Sequence, residues 1–241
     1  MRYALSLLLA ATCTFVNAAG VPGQGTWETT LQGRDLDGNA ATFEAYYDTA
    51  LNITWLADAN YAKTSGYSEY GYMNWDAART WASNLSVNGI TGWRLPTMVD
   101  VGNIGCTNIT GGGGANTDCG FNIDTGLSEM AHMYYVTLGN KAPFAPGKTG
   151  VVTQPGGGLR NTGPFSNLQS DYYWSGVEYA EDTDLAWYFR TEGGGQYGYY
   201  KAIGMYAWAV RPGDVAAVPE PESLALMGVG LAALMLRRRS S

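Results

Sequence analysis

Alternation of apolar and polar residues near the start of the chain predicts a β-hairpin. Residues 26–32 and 42–48 alternate on either side of residues 35–39, where the sequence DLDGN has the composition of a turn. Residues 51–56, LNITWL, continue the apolar pattern and are a candidate third strand. We expect this part of the chain to be antiparallel.

Four aromatic-rich segments near the end of the chain show the same alternation. They are residues 172–178, 185–190, 197–202 and 206–211. In each segment, large aromatic residues alternate with small or polar ones, as in strands with one buried face. We expect the four segments to form one antiparallel sheet, with the tryptophans in the core. These tryptophans are Trp174, Trp187 and Trp208. We expect Trp93 of the GWRLPT sequence to lie in the core as well.

Two segments between these blocks follow helical periodicity. The first begins after Asn74, a competent N-cap, and its apolar residues share one face: Trp75, Ala78, Ala82 and Leu85. The second covers about residues 127–138, with Asp124 or Thr125 as its cap, and its inward residues are Leu127, Ala131, Tyr134 and Leu138. His132, the only histidine, lies off that inward face. Strands and helices together predict an α+β fold.

The first 18 residues, 1–18, are typical of a secretory signal peptide. Arg2 supplies a positive start, an apolar stretch follows, and VNA at residues 16–18 suits signal peptidase. We expect cleavage after Ala18, which also removes Cys13. The alternative is a lipoprotein with Cys13 lipidated, and it is disfavoured because Thr12 stands where a small residue is usual.

Residues 215–241 form a tail of a different composition. It begins with the triplet Pro219, Glu220 and Pro221. An apolar run over residues 223–236 follows, and the basic cluster Arg237, Arg238 and Arg239 comes after it. A helix over this run would rise about 21 Å, which is short of a hydrocarbon core of about 30 Å. We interpret the run as a helix that inserts transiently, held by arginines at the cytoplasmic headgroups. A short permanent transmembrane helix is the alternative.

Two cysteines remain in the exported part of the chain. Cys106 and Cys119 flank the flexible sequence TNITGGGGANTD. In an oxidising compartment, a disulfide closing this loop would stabilise the fold by about 3 kcal/mol. Two unpaired thiols are the alternative. The sequence contains no CxxC motif that would suit a structural zinc site.

Charge argues against nucleic acid as a partner. Residues 19–218 hold ten Lys and Arg against nineteen Asp and Glu, a balance of minus nine, with no basic run. One acidic group, Glu178, Glu181, Asp182 and Asp184, is a weak candidate for a cation, and we interpret it instead as a solvated hairpin connection. The spacing of Asp35, Asp37 and Asn39 is similar to the start of a calcium loop. The glutamate that would complete such a loop is missing because residue 46 is Tyr, which favours a simple turn.

The ordered motifs of the chain resemble a known family. In sequence order they are YYDTALNITWLADAN, MNWDAARTWASNL, GWRLPT, YYWSGVEY, AWYFR and YAWAVRPG. Over roughly residues 46–213 they resemble the Lcl C-terminal-type domain of bacterial surface proteins, which implies a C-type-lectin-like fold. The tail is similar to a PEP-CTERM sorting signal, which implies a membrane exosortase that cuts near the PEP triplet. The expected organisation is therefore a signal peptide (1–18), one domain (19–214) and a sorting tail (215–241).

The lectin-like resemblance implies a binding function outside the cell, at the envelope surface or in an exopolysaccharide matrix. The Gly- and Pro-rich loop at residues 139–171 is the expected ligand platform, with Phe144, Arg160 and Phe165 as candidate contacts. The motifs for calcium-mediated sugar binding are absent from the sequence, so that chemistry does not carry over. No cofactor is expected.

Two alternatives to binding remain at this stage. A passive structural matrix protein is the first, because the sequence names no ligand. An enzyme is the second, since formylglycine-generating oxidases share the broad fold. Their chemistry needs a reactive cysteine pair, whereas Cys106 and Cys119 flank a glycine-rich loop. His132 has no GxSxG-type partner motif, and we expect the protein not to be an enzyme.

Overall fold

A computed structural model describes residues 24–39, 41–102, 118–146 and 152–215. Within these ranges the strands are β1 (Leu31–Arg34), β2 (Ala45–Asp48), β3 (Ile53–Leu56), β4 (Tyr172–Glu178), β5 (Leu185–Arg190), β6 (Gly195–Tyr200) and β7 (Val210–Pro212). The helices are α1 (Trp27–Thr30), α2 (Tyr61–Thr64), α3 (Trp75–Asn84) and α4 (Glu129–Ala131), and α4 continues into a π-helical segment (His132–Thr137). The α+β class is confirmed. The predicted signal peptide and the sorting motif of the tail lie outside the described residues.

The first sheet has the order β1-β2-β3-β7, and all its pairs are antiparallel. The predicted hairpin is present as β1 and β2, and β3 is the third strand. Residues 27–30 are helical rather than extended, which corrects the first predicted strand. The carbonyl oxygen of Thr26 accepts the backbone N–H groups of Thr29 and Thr30, and these bonds close one helical turn.

The second sheet contains β4, β5 and β6, again antiparallel. The fourth aromatic segment does not join it, so the predicted four-stranded sheet is wrong. Tyr206 exchanges backbone hydrogen bonds with β4, accepting from Trp174 and donating to Tyr172. The chain then crosses to the first sheet, where Val210 pairs with Trp55. This segment therefore links the two sheets.

Helix α3 agrees with its prediction except at its end, where the predicted inward residue Leu85 is an extended, half-buried C-cap residue after Asn84. The Asn74 side chain accepts the N–H of Ala77 at 2.9 Å, and Trp75, Ala78 and Ala82 are buried. An N-cap of this kind contributes about 1 kcal/mol. The helix lies against β4, because the indole N–H of Trp75 donates to the carbonyl oxygen of Ser175 at 2.8 Å.

The second predicted helix begins later and is wound differently. Ser128, not Asp124 or Thr125, is the cap, and its hydroxyl accepts the N–H of Ala131. The N–H of Leu138 donates to the carbonyl of Met133, five residues back, as in a π-helix. The wider turn changes the buried face, so Met133 and Thr137 are buried beside the expected Ala131, Tyr134 and Leu138. The expected Leu127 lies before the helix and is only half-buried.

One hydrophobic core joins both sheets and the helices. All four tryptophans predicted to be internal are buried: Trp93, Trp174, Trp187 and Trp208. Trp208 occupies the centre, with its ring 4.6 Å from Trp55 and 4.7 Å from Phe165. Trp187 instead packs with Met98 and Cys119 in a smaller cluster. The shared core holds the two sheets in one unit.

Candidate functional site

The predicted loop platform does not form as expected. Phe165 is only 5% exposed and packs edge-to-face on Tyr46 and Trp208, so it is a core residue. The prediction that Phe165 offers an exposed ring to a ligand is therefore wrong. The reason is that the loop folds back on the first sheet, where the N–H of Ser166 donates to the carbonyl of Ala57.

Phe144 and Arg160 pack in other places. Phe144 is half-buried with its ring 5.0 Å from Phe121. Arg160 is exposed, and its backbone N–H donates to the side chain of Asn140. The three predicted contacts thus belong to separate surroundings, and Arg160 alone among them is exposed to solvent.

A surface that the sequence analysis missed is formed by neighbouring tyrosines. We call it the tyrosine face, and it consists of Tyr172, Tyr188, Tyr197, Tyr199 and Tyr200. Strand pairing places Tyr188 opposite Tyr197, with ring centroids 6.1 Å apart. The rings of Tyr172 and Tyr199 lie 5.4 Å and 6.1 Å from the ring of Tyr188. At the end of β6 the ring of Tyr200 lies 5.9 Å from the ring of Tyr199. The five rings therefore form a continuous group.

Exposure increases along this face towards the end of β6. Tyr188 is 9% exposed, whereas Tyr199 and Tyr200 are 45% and 59% exposed. Burial raises the pKa of Tyr188 to about 12 and also raises the pKa of Tyr197. Both phenols are therefore neutral near pH 7. A set of ring faces with neutral hydroxyl groups suits contact with an uncharged, hydroxyl-rich ligand.

The charges beside the tyrosine face are paired. The guanidinium group of Arg190 lies 5.3 Å from the ring of Tyr172 and forms an ion pair with Glu192. At the other end, Lys201 pairs with Glu178. The face is thus bordered by neutralised charges.

A cavity of about 460 Å³ with a mixed polar and apolar lining lies beside α3. Arg79 and Arg94 line it, together with hydroxyl side chains such as those of Thr80 and Thr97. Arg94 forms a two-bond ion pair with Glu129, at 2.7 and 2.8 Å, and Arg79 stacks on Trp75. Pockets that bury a small substrate or cofactor are mostly apolar. The lining of this cavity is mixed.

Two of the predicted cation candidates in the β4–β5 connection, Glu178 and Asp182, make protein contacts. Glu178 pairs with Lys201, and the carboxylate of Asp182 accepts the N–H of Asp184. The interpretation as a hairpin connection agrees with these contacts. Glu181 lies elsewhere, with a carboxylate oxygen 3.5 Å from the position that a Cβ atom on Gly102 would take.

The calcium-like turn brings three carboxylates together. Oxygen atoms of Asp35, Asp37 and Glu44 lie within 4.8 Å of one another. The third carboxylate comes from Glu44 and not from position 46, which is Tyr. Each of the three carboxylates accepts a backbone N–H group within the hairpin, as acidic side chains commonly do in turns.

The one histidine lies beside a buried carboxylate. His132 is half-buried, with Nδ1 3.3 Å from the hydroxyl of Thr137, and Asp48 is fully buried. Burial raises the pKa of Asp48 and lowers that of His132. Thr137 is fully buried as well. A substrate therefore has no access to this hydroxyl, and the arrangement does not provide a nucleophile.

Two other groups of predicted residues fall partly or wholly outside the described part of the chain. Cys119 is 1% exposed, but Cys106 lies outside it, so their pairing stays a prediction. The PEP triplet and the arginine cluster also lie outside. No helix among residues 24–39, 41–102, 118–146 and 152–215 is long and apolar enough to cross a membrane.

Comparison with known proteins gives two matches. Residues 44–211 match the family described as Lcl C-terminal domain. Residues 217–239 match the PEP-CTERM protein-sorting motif, which indicates export, anchoring at the cell envelope surface and processing by an exosortase. A search of curated proteins gives no match.

Proposed function

Because the chain belongs to the Lcl C-terminal domain family, we propose that it is a non-enzymatic binding module of the envelope or exopolysaccharide matrix. The tyrosine face is its contact surface, and its ligand is a neutral polysaccharide. The proposal includes a C-type-lectin-like fold, which the family resemblance implies for this α+β domain. The pairing of β7 with β3, which joins the two ends of the domain in one sheet, supports it.

The observation that carries the proposal is the run of tyrosine rings with rising exposure. An exposed ring face offers a flat apolar surface, and the phenol beside it can donate or accept a hydrogen bond. Sugars present both apolar C–H faces and hydroxyl groups, so one tyrosine can meet both. A charged ligand has less to gain, since the nearby Arg190 and Lys201 are already paired.

A passive matrix protein remains the second candidate. It would share the sorting motif and the compact core but would not need the exposed rings. The non-enzymatic part of the proposal is supported by the full burial of the Thr137 hydroxyl, which is the group beside His132.

The test compares two pairs of exposed tyrosines. The variant Tyr199→Ala with Tyr200→Ala removes two rings from the tyrosine face. The matched control is Tyr67→Ala with Tyr70→Ala, whose rings are 56% and 62% exposed on another loop. Binding to exopolysaccharide purified from the host is measured by co-sedimentation, and folding by thermal melting.

Aromatic contacts of this kind contribute about 0.5–1.5 kcal/mol each, so losing two weakens binding about 5- to 150-fold. We expect that loss only in the first variant, with both melting temperatures unchanged within a few degrees. Equal binding by the two variants would remove the tyrosine face from the proposal. Absence of binding by the unmodified protein would favour the passive matrix role.

A further inference from the structure

A second cavity lies at the exposed end of the tyrosine face, and we call it the Tyr200 cavity. Its volume is about 440 Å³, within the range of about 300–1,000 Å³ that is usual for ligand pockets. The residues that line it are Asn74, Asp76, Asp184, Tyr200, Lys201 and Ala202. Tyr200 therefore belongs both to this cavity and to the tyrosine face.

Backbone hydrogen bonds hold the three parts of this lining together. The N–H of Lys201 donates to the carbonyl oxygen of Asp184 at 3.0 Å, and the N–H of Trp75 donates to the carbonyl oxygen of Lys201 at 3.0 Å. Trp75 lies between Asn74 and Asp76 at the start of α3. The β4–β5 connection, the turn after β6 and the first turn of α3 are thus fixed against one another, so the cavity is formed without a ligand.

Three polar side chains of the lining have hydrogen-bonding groups that the protein does not use. Among the described residues, the carboxylates of Asp76 and Asp184 take part in no hydrogen bond or ion pair. Asn74 uses its Oδ1 to cap α3, and its Nδ2 has no partner in the same part of the chain. The cavity therefore offers carboxylate oxygens as acceptors and an amide group as a donor.

Lys201 carries the only positive charge in the lining of the Tyr200 cavity, and protein groups already engage it. It pairs with Glu178, donates to the carbonyl oxygen of Thr183 and lies 4.6 Å from the centre of the Trp75 ring. Arg79, which also stacks on Trp75, lines the cavity beside α3 instead. An acidic sugar in the Tyr200 cavity would meet two carboxylates and no free cation, so it would be repelled, whereas a neutral sugar would not.

We propose that the Tyr200 cavity binds one residue of a neutral sugar chain whose neighbouring residues lie on the tyrosine face. This inference rests on the proposed function and adds a defined subsite to it. The ring of Tyr200 contacts an apolar C–H face of the sugar. Two sugar hydroxyl groups donate to Asp76 and Asp184, and the amide of Asn74 donates to a third sugar oxygen. The subsite thus selects neutral over acidic sugars, which the rings alone do not do.

The test measures binding of the exported chain to an array of neutral hexose oligosaccharides and of the corresponding uronic-acid oligosaccharides. The test variants are Asp76→Ala and Asp184→Ala, whose side chains make no protein contact that folding needs. The matched control is Glu181→Ala, which removes the same charge from the β4–β5 connection at a residue outside the cavity lining. Tyr199→Ala reports separately on the tyrosine face, because Tyr199 does not line the cavity. Thermal melting of each variant checks folding.

We expect the unmodified protein to bind at least one neutral oligosaccharide in preference to its uronic-acid counterpart. Each aspartate-to-alanine variant should bind it about 10- to 150-fold more weakly, as for the loss of one hydrogen bond to a charged group. Glu181→Ala should bind as the unmodified protein does. Asp184→Asn keeps an acceptor oxygen and removes the charge, so it should lose less affinity than Asp184→Ala.

The outcomes separate this subsite from the wider proposal. Normal binding by both aspartate variants, with weakened binding by Tyr199→Ala, would overturn the subsite and leave the tyrosine face in place. The reverse result would support the subsite and remove Tyr199 from the contact surface. Equal binding of neutral and acidic oligosaccharides would overturn the subsite, because its two carboxylates repel an acidic sugar. Absence of binding to every neutral oligosaccharide would overturn both proposals.

Discussion

Trp208 is the residue whose replacement tests the architecture most directly. It lies in the segment that crosses between the two sheets and is 1% exposed. Its indole N–H donates to the carbonyl of Leu56 at 2.8 Å, and its ring packs against Trp55 and Phe165. It therefore contributes both packing and a buried hydrogen bond.

The two contributions can be separated by two substitutions. Trp208→Ala removes the ring and leaves a cavity, which costs about 3–5 kcal/mol in unfolding free energy. Loss of the hydrogen bond adds about 1 kcal/mol. Trp208→Phe keeps an aromatic ring but removes the N–H donor, and we expect it to cost about 1–3 kcal/mol. Against a typical total stability of about 5–15 kcal/mol, the alanine variant loses a large share.

Equilibrium unfolding in urea, followed by far-UV circular dichroism, measures these differences. Tyr70→Ala serves as the control, since this side chain is 62% exposed and its loss changes stability by no more than about 0.5 kcal/mol. A cost below about 1 kcal/mol for Trp208→Ala would refute its place in the core. Equal costs for the two Trp208 variants would show that the hydrogen bond, not the packing, dominates.

The pH dependence of stability tests His132, whose pKa burial lowers below its ordinary value of about 6.5. As the pH falls through about 6.5, His132 takes up a proton in the unfolded chain but not in the folded chain. The urea midpoint of unfolding is therefore lower at pH 5.5 than at pH 7, and this decrease is smaller in His132→Gln. Asp48, whose pKa is raised, changes the stability in the opposite direction in both proteins. The effect of His132 is therefore the difference between the pH profiles of the unmodified protein and His132→Gln, and equal profiles would contradict it. Non-reducing peptide mapping should recover Cys106 linked to Cys119, and two thiols that alkylate without reductant would contradict that pairing.

Elements set by local interactions were predictable from the sequence. Asn74 caps α3 because its short side chain reaches the N–H of Ala77 within one turn. Strands β4 and β5 have the predicted bounds, since alternation with aromatic residues is a local pattern. Burial of Trp174, Trp187 and Trp208 followed from the same alternation, whereas Trp93 lies in the GWRLPT sequence outside it.

Features set by long-range contacts were not predictable in this way. The segment from Tyr206 to Val210 has the alternation of a strand, yet its neighbours change from β4 to β3 partway along. Phe165 lies in a sequence with loop composition, but the backbone of Ser166 is bonded to Ala57, and this contact turns the ring into the core. Composition describes the loop correctly and does not determine which side chains it buries.

The acidic residues show most clearly where sequence order misleads. In the sequence, Glu181 stands beside Asp182 and Asp184, and its distance from Asp100 is about eighty residues. In the structure, Asp182 bonds to Asp184 within the turn, while Glu181 shares its electrostatic surroundings with Asp100 and Asp118. A turn of a few residues directs neighbouring side chains to different sides, so carboxylates adjacent in sequence need not share a ligand.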